Sequence, residues 1–223
     1  PDGQPISTTY QWVNVTEGTT LGTSPLQGLS SSIASPSDEL SCLVTATDSG
    51  GLSSNSSGTV FLTNRAPNLG TVYIDPSSGV TTTSTLSCST TATDDDGEIP
   101  VISYVWTNGG SVIGTASEIT LDWNIVAPGD NLYCTATATD SVGEIDSDST
   151  LVSIDNTAPV ITDLTISPSP GYNDSILTCI VTATDVDGQN LSSNFTWLNI
   201  DTGVALGIGA TLNLNSTSAS TTD

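Results

Sequence analysis

Three copies of one pattern constrain this chain more than any other feature. Asn64-Arg65-Ala66-Pro67 recurs as Asn156-Thr157-Ala158-Pro159, and Ile74-Asp75-Pro76 as Ile166-Ser167-Pro168, both at a shift of 92 positions. A Gly stands nine positions before a Trp three times: Gly3 and Trp12, Gly97 and Trp106, Gly188 and Trp197. Leu-x-Cys-x-x-x-Ala-Thr-Asp surrounds Cys42, Cys88 and Cys179, and recurs around Cys134 with Leu132, Ala138 and Asp140. A period of this size marks an array of small units that each bury a core of their own. In order, the units hold Trp12 and Cys42; then Cys88, Trp106 and Cys134; then Cys179 and Trp197. The chain therefore divides into a partial unit over 1–66 (a C-terminal part), a complete unit over 67–158 and a partial unit over 159–223 (an N-terminal part).

Around the cysteines the apolar positions alternate with period two. Leu86, Cys88, Thr90 and Ala92 fall on one strand face, and Leu132, Cys134, Ala136 and Ala138 on another, both facing inward. No segment carries helical apolar spacing, so the expectation is all-β. A Trp between two half-cystines is the hallmark of the immunoglobulin sandwich, in which a disulfide ties strand B of one sheet to strand F of the other. Cys88, Trp106 and Cys134 fit strands B, C and F. Tyr133 stands next to Cys134 rather than two residues before it, so the tyrosine corner of antibody domains is missing. Cys42 and Cys179 are then expected to pair outside this stretch of chain or between chains. Zinc is a poor alternative, since no two cysteines are close in sequence and His is absent.

The combined motifs resemble the tandem immunoglobulin-like and polycystic-kidney-disease-like repeats of very large secreted microbial surface proteins. What that resemblance implies is an extended extracellular array used as a stalk, adhesin or fibre, with no catalytic residues to carry over.

Charge narrows the partners. One Arg and no Lys stand against 24 Asp and Glu, giving a net charge of -23. Nucleic acid and anionic membranes need a basic footprint that this chain lacks. No apolar run is long enough to span a bilayer, so membrane insertion is not expected. Without a Met or signal sequence before Pro1, the chain reads as a processed product or a piece of something longer. Disulfide chemistry and a Ser- and Thr-rich surface point to an extracellular or cell-surface location.

Two acidic loops, Asp94-Asp95-Asp96-Gly97 and Asp185-Val186-Asp187-Gly188, alternate carboxylates with a Gly turn. Calcium takes six to eight oxygens in flexible geometry, so Asp94, Asp96, Asp185 and Asp187 are candidate ligands. Asp140, after strand F, should meet Asp94 and Asp96 beside the Asn-x-Ala-Pro linker. Asp130, in the turn before strand F, should lie at the other end and face Asp185 and Asp187. The competing reading is that these Asp residues only form turns. Acids repeated in every unit without an aromatic platform do not make a glycosidase, and no His or Lys offers a neutral-pH base, so an enzyme is not expected.

Asn-x-Ser/Thr sequons at Asn14, Asn55, Asn173, Asn190, Asn194 and Asn215 are candidate glycosylation sites. Trp12, Trp106 and Trp197 are assigned to cores. Trp123 lies outside the repeat and is the better candidate for a contact surface. The leading reading is a structural segment of an extracellular filament, stalk or surface array, its partners adjacent repeats or further copies of itself. The alternative is an adhesin module that recognises a glycan or another cell.

Overall fold

The computed structural model describes residues 5–215, and within them every regular element is a strand. No helix of the described residues is therefore long and apolar enough to cross a membrane. The first unit contributes β1 (Ser7–Asn14), β2 (Thr19–Gly22), β3 (Glu39–Thr47) and β4 (Ser53–Phe61) as one antiparallel sheet in the order β2-β1-β3-β4.

The middle unit contains β5 (Asn68–Leu69), β6 (Tyr73–Asp75), β7 (Thr85–Ser89), β8 (Ala92–Thr93), β9 (Val101–Asn108), β10 (Ser111–Gly114), β11 (Glu118–Thr120), β12 (Asn131–Thr139) and β13 (Ile145–Ser153). Its sheet β10-β9-β12-β13 repeats the order of the first unit's sheet, and β11-β7-β6 forms the opposing layer. The third unit adds β14 (Val160–Ser167), β15 (Ile176–Thr184), β16 (Thr196–Leu198), β17 (Ala205–Ile208) and β18 (Thr211–Asn213). Here β14-β15-β18 forms the layer that corresponds to β6, β7 and β11, and β16-β17 is a separate hairpin.

The alternation read from the sequence is what builds the middle core. On β12, Leu132, Cys134, Ala136 and Ala138 are fully buried while Tyr133 between them is exposed. Leu86 and Cys88 of β7 face them from the other layer, and Cys88 and Cys134 are disulfide-bonded with Cα atoms 6.4 Å apart. Closing a loop over a sequence separation of 46 removes about 4 kcal/mol of denatured-state entropy on the chain model. Trp106 is fully buried beside the bridge, in register with Cys134, and its Nε1 donates to the Ala116 carbonyl at 3.0 Å, so burial leaves the indole satisfied.

The flanking units reuse these devices without the full enclosure. Trp12 stands opposite Cys42 as Trp106 stands opposite Cys134. The Trp12 and Trp197 Nε1 groups donate to the carbonyls of Ser24 and Gly209. Both indoles are nonetheless only half-buried, which corrects their assignment to a closed core: no layer opposes the sheet of Trp12 among the described residues, and Trp197 stands on the two-stranded piece β16-β17.

A further pair repeats inside the units. The Asn14 Nδ2 donates to Asp38 at 2.7 Å, and the Asn108 Nδ2 to Asp130 at 2.7 Å. Each Asp also accepts a backbone N–H from three residues earlier, Ser35 and Ala127 respectively. The pair ties the end of one strand to the turn entering the next, and it leaves neither buried group unpaired.

Candidate functional site at the unit junctions

Both acidic loops fold the same way, for a local reason. The first carboxylate accepts the backbone N–H of the Asp two positions on, Asp96 to Asp94 Oδ1 at 2.6 Å and Asp187 to Asp185 Oδ1 at 2.8 Å. Gly97 and Gly188 then close the turn on the carbonyls of Asp94 and Asp185, at φ values of 85° and 69° that favour glycine.

This turn aims the Asp at its third position at the linker that enters its own unit. Asp96 Oδ2 accepts the N–H of Arg65 at 2.7 Å, and Asp187 Oδ2 accepts that of Thr157 at 2.6 Å. Arg65 and Thr157 occupy the same position of the Asn-x-Ala-Pro motif. The other oxygen of each acid takes a side chain. Asp187 Oδ1 receives the hydroxyl of Thr82 from the middle unit at 2.6 Å, with both residues buried. Asp96 Oδ1 receives Arg65 Nε at 2.9 Å and Nη2 at 2.7 Å. The chain's single cation thus serves the first junction. Its hydrogen bonds, from the side chain and then the backbone N–H, hold the Asp96 carboxyl below its usual range, and the bond to Asp96 raises the guanidinium in turn.

The glycines of the loops are packing surfaces too. A Cβ on Gly188 would lie 2.7 Å from Trp123 Cε3, so the indole of the middle unit rests directly on the loop of the third. At the first junction Ser31 occupies that place against Gly97. Trp123 and Ser31 are 92 positions apart, so both are set by the repeat. Trp123 is 56% exposed and does form a contact surface, but its neighbour is the next unit.

Beside the first junction, oxygen atoms of Asp94, Glu98 and Asp140 all lie within 4.8 Å of one another. Asp140 Oδ1 accepts the N–H groups of Val142, Gly143 and Glu144, and Oδ2 accepts the Asn64 Nδ2 at 2.7 Å. Burial pushes the Asp140 carboxyl up, but the bonds from Asn64 and from the three N–H groups outweigh it and hold the group below its usual range. Glu98 accepts both the hydroxyl and the N–H of Ser141. Two buried oxygens in the same neighbourhood, Asp94 Oδ2 and Asn64 Oδ1, have no donor. At the second junction Asp185 Oδ2 and Thr157 Oγ1 are likewise without one. A buried carboxylate oxygen lacking a donor is costly unless a cation satisfies it, and an all-oxygen set suits a hard divalent ion.

Of the six expected metal ligands, the structure therefore brings Asp94 and Asp140 together. Asp96 and Asp187 are held by linker N–H groups and by Arg65 or Thr82, and Asp185 caps its own loop with one oxygen left over. Asp130 does not face the next unit's acids by any bond the structure shows: its carboxylate is committed to Asn108 and Ala127, and Thr82 takes the role expected of it. Glu98 and Asn64 join the cluster without having been singled out. Among the sequons, Asn55, Asn173, Asn190, Asn194 and Asn215 are exposed, although the Ser and Thr of the last lie outside the described residues. Asn14 is a correction. It is fully buried, and the amide nitrogen that would carry a sugar donates to Asp38.

No protein-family model and no curated protein sequence matches the chain. Among solved structures it is similar to the fibronectin(III)-like modules of Clostridium thermocellum CbhA, at 17% identity over 70% of this chain and 81% of that one, with a TM-score of 0.32. A tetra-tandem repeat in the extending region of a large adhesion protein shares 19% identity over 98% of this chain and 61% of that one, at a TM-score of 0.36. The protocadherin gammaB7 EC3-6 cis-dimer structure shares 14% identity over 96% and 58%, at 0.33. At these identities and scores the likenesses carry no argument about function, and the chain's own geometry is what bears on it. That geometry is all-β, with tandem immunoglobulin-like units and an intradomain disulfide between Cys88 and Cys134.

Proposed function

We propose that this chain is a structural segment of an extracellular array, a stalk or filament of the microbial surface-protein type. Its units meet near residues 66/67 and 158/159 and hold one another in fixed orientation. The observation that carries this reading is that both junctions are built on one clamp: an Asp-x-Asp-Gly turn whose second Asp binds the linker N–H and whose Gly receives a side chain from the preceding unit. A repeated device at the seam, rather than a singular cleft within one unit, is what an end-to-end spacer requires.

Calcium at Asp94, Glu98 and Asp140, with Asn64 Oδ1 completing the protein's share of ligands, would stiffen the first junction. The orphaned oxygens of Asp94 and Asn64 support this assignment. Glycans on the exposed sequons would shield β4 at Asn55 and the segments outside strands at Asn173, Asn190, Asn194 and Asn215. Electron micrographs of the purified chain with calcium are expected to show elongated particles of uniform length, which become bent and variable with chelator. Compact particles would overturn the array reading, and identical particles in chelator, with no calcium retained on dialysis, would remove the ion from it.

A further inference from the structure

Arg65 is the only Lys or Arg in the sequence, and it stands in a linker. Residues 62–67, between β4 and β5, belong to no strand or turn. Exposed segments without regular structure are where proteases most readily cut. The Arg65 side chain is 59% exposed, so its charge is open to a visitor. At the second junction Thr157 holds the equivalent position and offers no cation. Cleavage after a basic residue therefore has one bond to act on, Arg65–Ala66. That bond lies between two units and outside the core that Val72, Trp106 and Ile154 help to form.

What a trypsin-like protease needs from Arg65 is already taken. Such an enzyme receives the guanidinium on a carboxylate in its specificity pocket. Here Asp96 plays that part: its Oδ1 accepts Arg65 Nε at 2.9 Å and Nη2 at 2.7 Å, and its Oδ2 accepts the Arg65 backbone N–H at 2.7 Å. The Asp95 carbonyl accepts Nη2 as well, at 2.8 Å. The Asp96 side chain is only 10% exposed, so water competes little for it, and these charge-assisted bonds are stronger than an ordinary surface ion pair. The Asp95 carboxylate is such a surface pair, 66% exposed and 3.7 Å from Nη1, and contributes little. On the N-terminal side the segment is pinned again. Leu62 exchanges hydrogen bonds with Asp38 and Ser37 at 2.9 Å each, and the Asn64 Nδ2 donates to Asp140 at 2.7 Å.

We propose that Arg65–Ala66 is a processing site for an arginine-specific serine protease, and that Asp96 is the latch that keeps it closed. One carboxylate holds both the guanidinium and the backbone N–H, so a single opening event frees both for the enzyme. The protease serine then attacks the Arg65 carbonyl carbon, the bond to the Ala66 nitrogen breaks, and that nitrogen leaves as an amine with the serine's proton. Water attacks the resulting ester, returns the serine, and leaves Arg65 with a carboxylate. The cut parts the first unit from the middle one and leaves the Cys88–Cys134 bridge whole. Because the closed segment is not a substrate, the rate of cutting follows the population of molecules whose first junction is open.

The latch rests on the clamp at the first junction and is tested apart from the array reading. The folded chain is incubated with trypsin, sampled over time on reducing gels, and the new ends are identified by mass spectrometry. Asp96→Ala is expected to be cut about ten- to hundredfold faster than the parent, at Arg65–Ala66 alone, giving 1–65 and 66–223. Asp96→Asn, which keeps an acceptor for the N–H but loses the charge, is expected to fall between them. Asp95→Ala should be cut within about twofold of the parent rate, since its carboxylate is a surface partner. Arg65→Gln combined with Asp96→Ala should stay whole. Emission from the buried Trp106 checks that each variant is folded, and Asp96→Asn carries the comparison if Asp96→Ala is not. A parent chain cut as fast as the Asp96 variants overturns the latch, and so does an Asp95→Ala chain cut as fast as Asp96→Ala. Folded Asp96 variants that are not cut overturn the site itself. A parent chain that is cut quickly yet elongated in micrographs would leave the array reading standing.

Discussion

Removing the Thr82 hydroxyl tests the second junction at its most enclosed bond. Thr82 is fully buried, Asp187 is 6% exposed, and their oxygens lie 2.6 Å apart. Thr82→Val keeps the shape of the side chain and deletes the donor. A buried hydrogen bond to a charged acceptor contributes about 1.5–3 kcal/mol. Asp187→Ala goes further, since it also strands the Thr157 N–H that donates at 2.6 Å. The Thr157 N–H is left without an acceptor, at about 1–3 kcal/mol, and the Thr82 hydroxyl keeps only its longer bond to the Val186 carbonyl at 3.4 Å, so the Asp variant is expected to lose about 2–5 kcal/mol. The readout is urea unfolding followed by tryptophan emission, to which Trp123 on the Gly188 loop contributes a signal from this junction. Thr82→Val, Asp187→Ala and their combination form a double-mutant cycle, with exposed Asp201→Ala as a control within about 0.5 kcal/mol of the parent. The expected coupling is about 1.5–3 kcal/mol, together with separation of the middle and third units into distinct transitions. Additive effects, within about 0.5 kcal/mol, would refute the reasoning.

Gly188→Ala should destabilise the same junction twice over, since its φ of 69° disfavours a side chain and its Cβ would meet Trp123 at 2.7 Å. Gly203→Ala, at φ 71° with nothing within 4 Å, should show only the backbone cost of about 1–2 kcal/mol, and thermal melts of the two variants separate the terms. The first junction should be acid-sensitive. Asp96 and Asp140 are held below their ordinary value of 3.8, so their contribution is fully present above it and is lost as pH falls through the lower folded values. Stability measured without calcium should therefore stay level from neutral pH to about 5, fall below about pH 4, and fall less steeply in Asp140→Asn.

Much of the fold is legible in the chain because a strand's faces are written with period two. Leu132, Cys134, Ala136 and Ala138 announce a buried face whatever lies far away, and the Cys-Trp-Cys order then names the two layers. The site is less legible, because its bonds join residues that share no local pattern. Asn64 meets Asp140 across 76 positions and Thr82 meets Asp187 across 105. Asp94 and Asp140 were accessible only because strands B and F run in the same direction, which places their following loops at one end. Glu98 follows Asp94 by four positions and could have been found by asking which acids the same loop carries. Asp130 misled for the opposite reason: a Pro-Gly-Asp turn signals a loop end, but not that Asn108 already claims the carboxylate. The sequon at Asn14 signals a sugar acceptor only if the side chain reaches solvent, and the buried partner Asp38 lies 24 positions away. The equivalence of Ser31 and Trp123 was visible as a 92-residue shift, and it marks a position where the repeat fixes the contact while the residue varies.

Orientation between units is the central claim, and nuclear relaxation of the complete ¹⁵N-labelled chain tests it most directly. Held in a reducing buffer so that no interchain bridge forms, and with calcium present, the three units are predicted to share one anisotropic rotational diffusion tensor, which separates into independent ones in Asp187→Ala. Independent tumbling of the units in the parent chain would contradict the account.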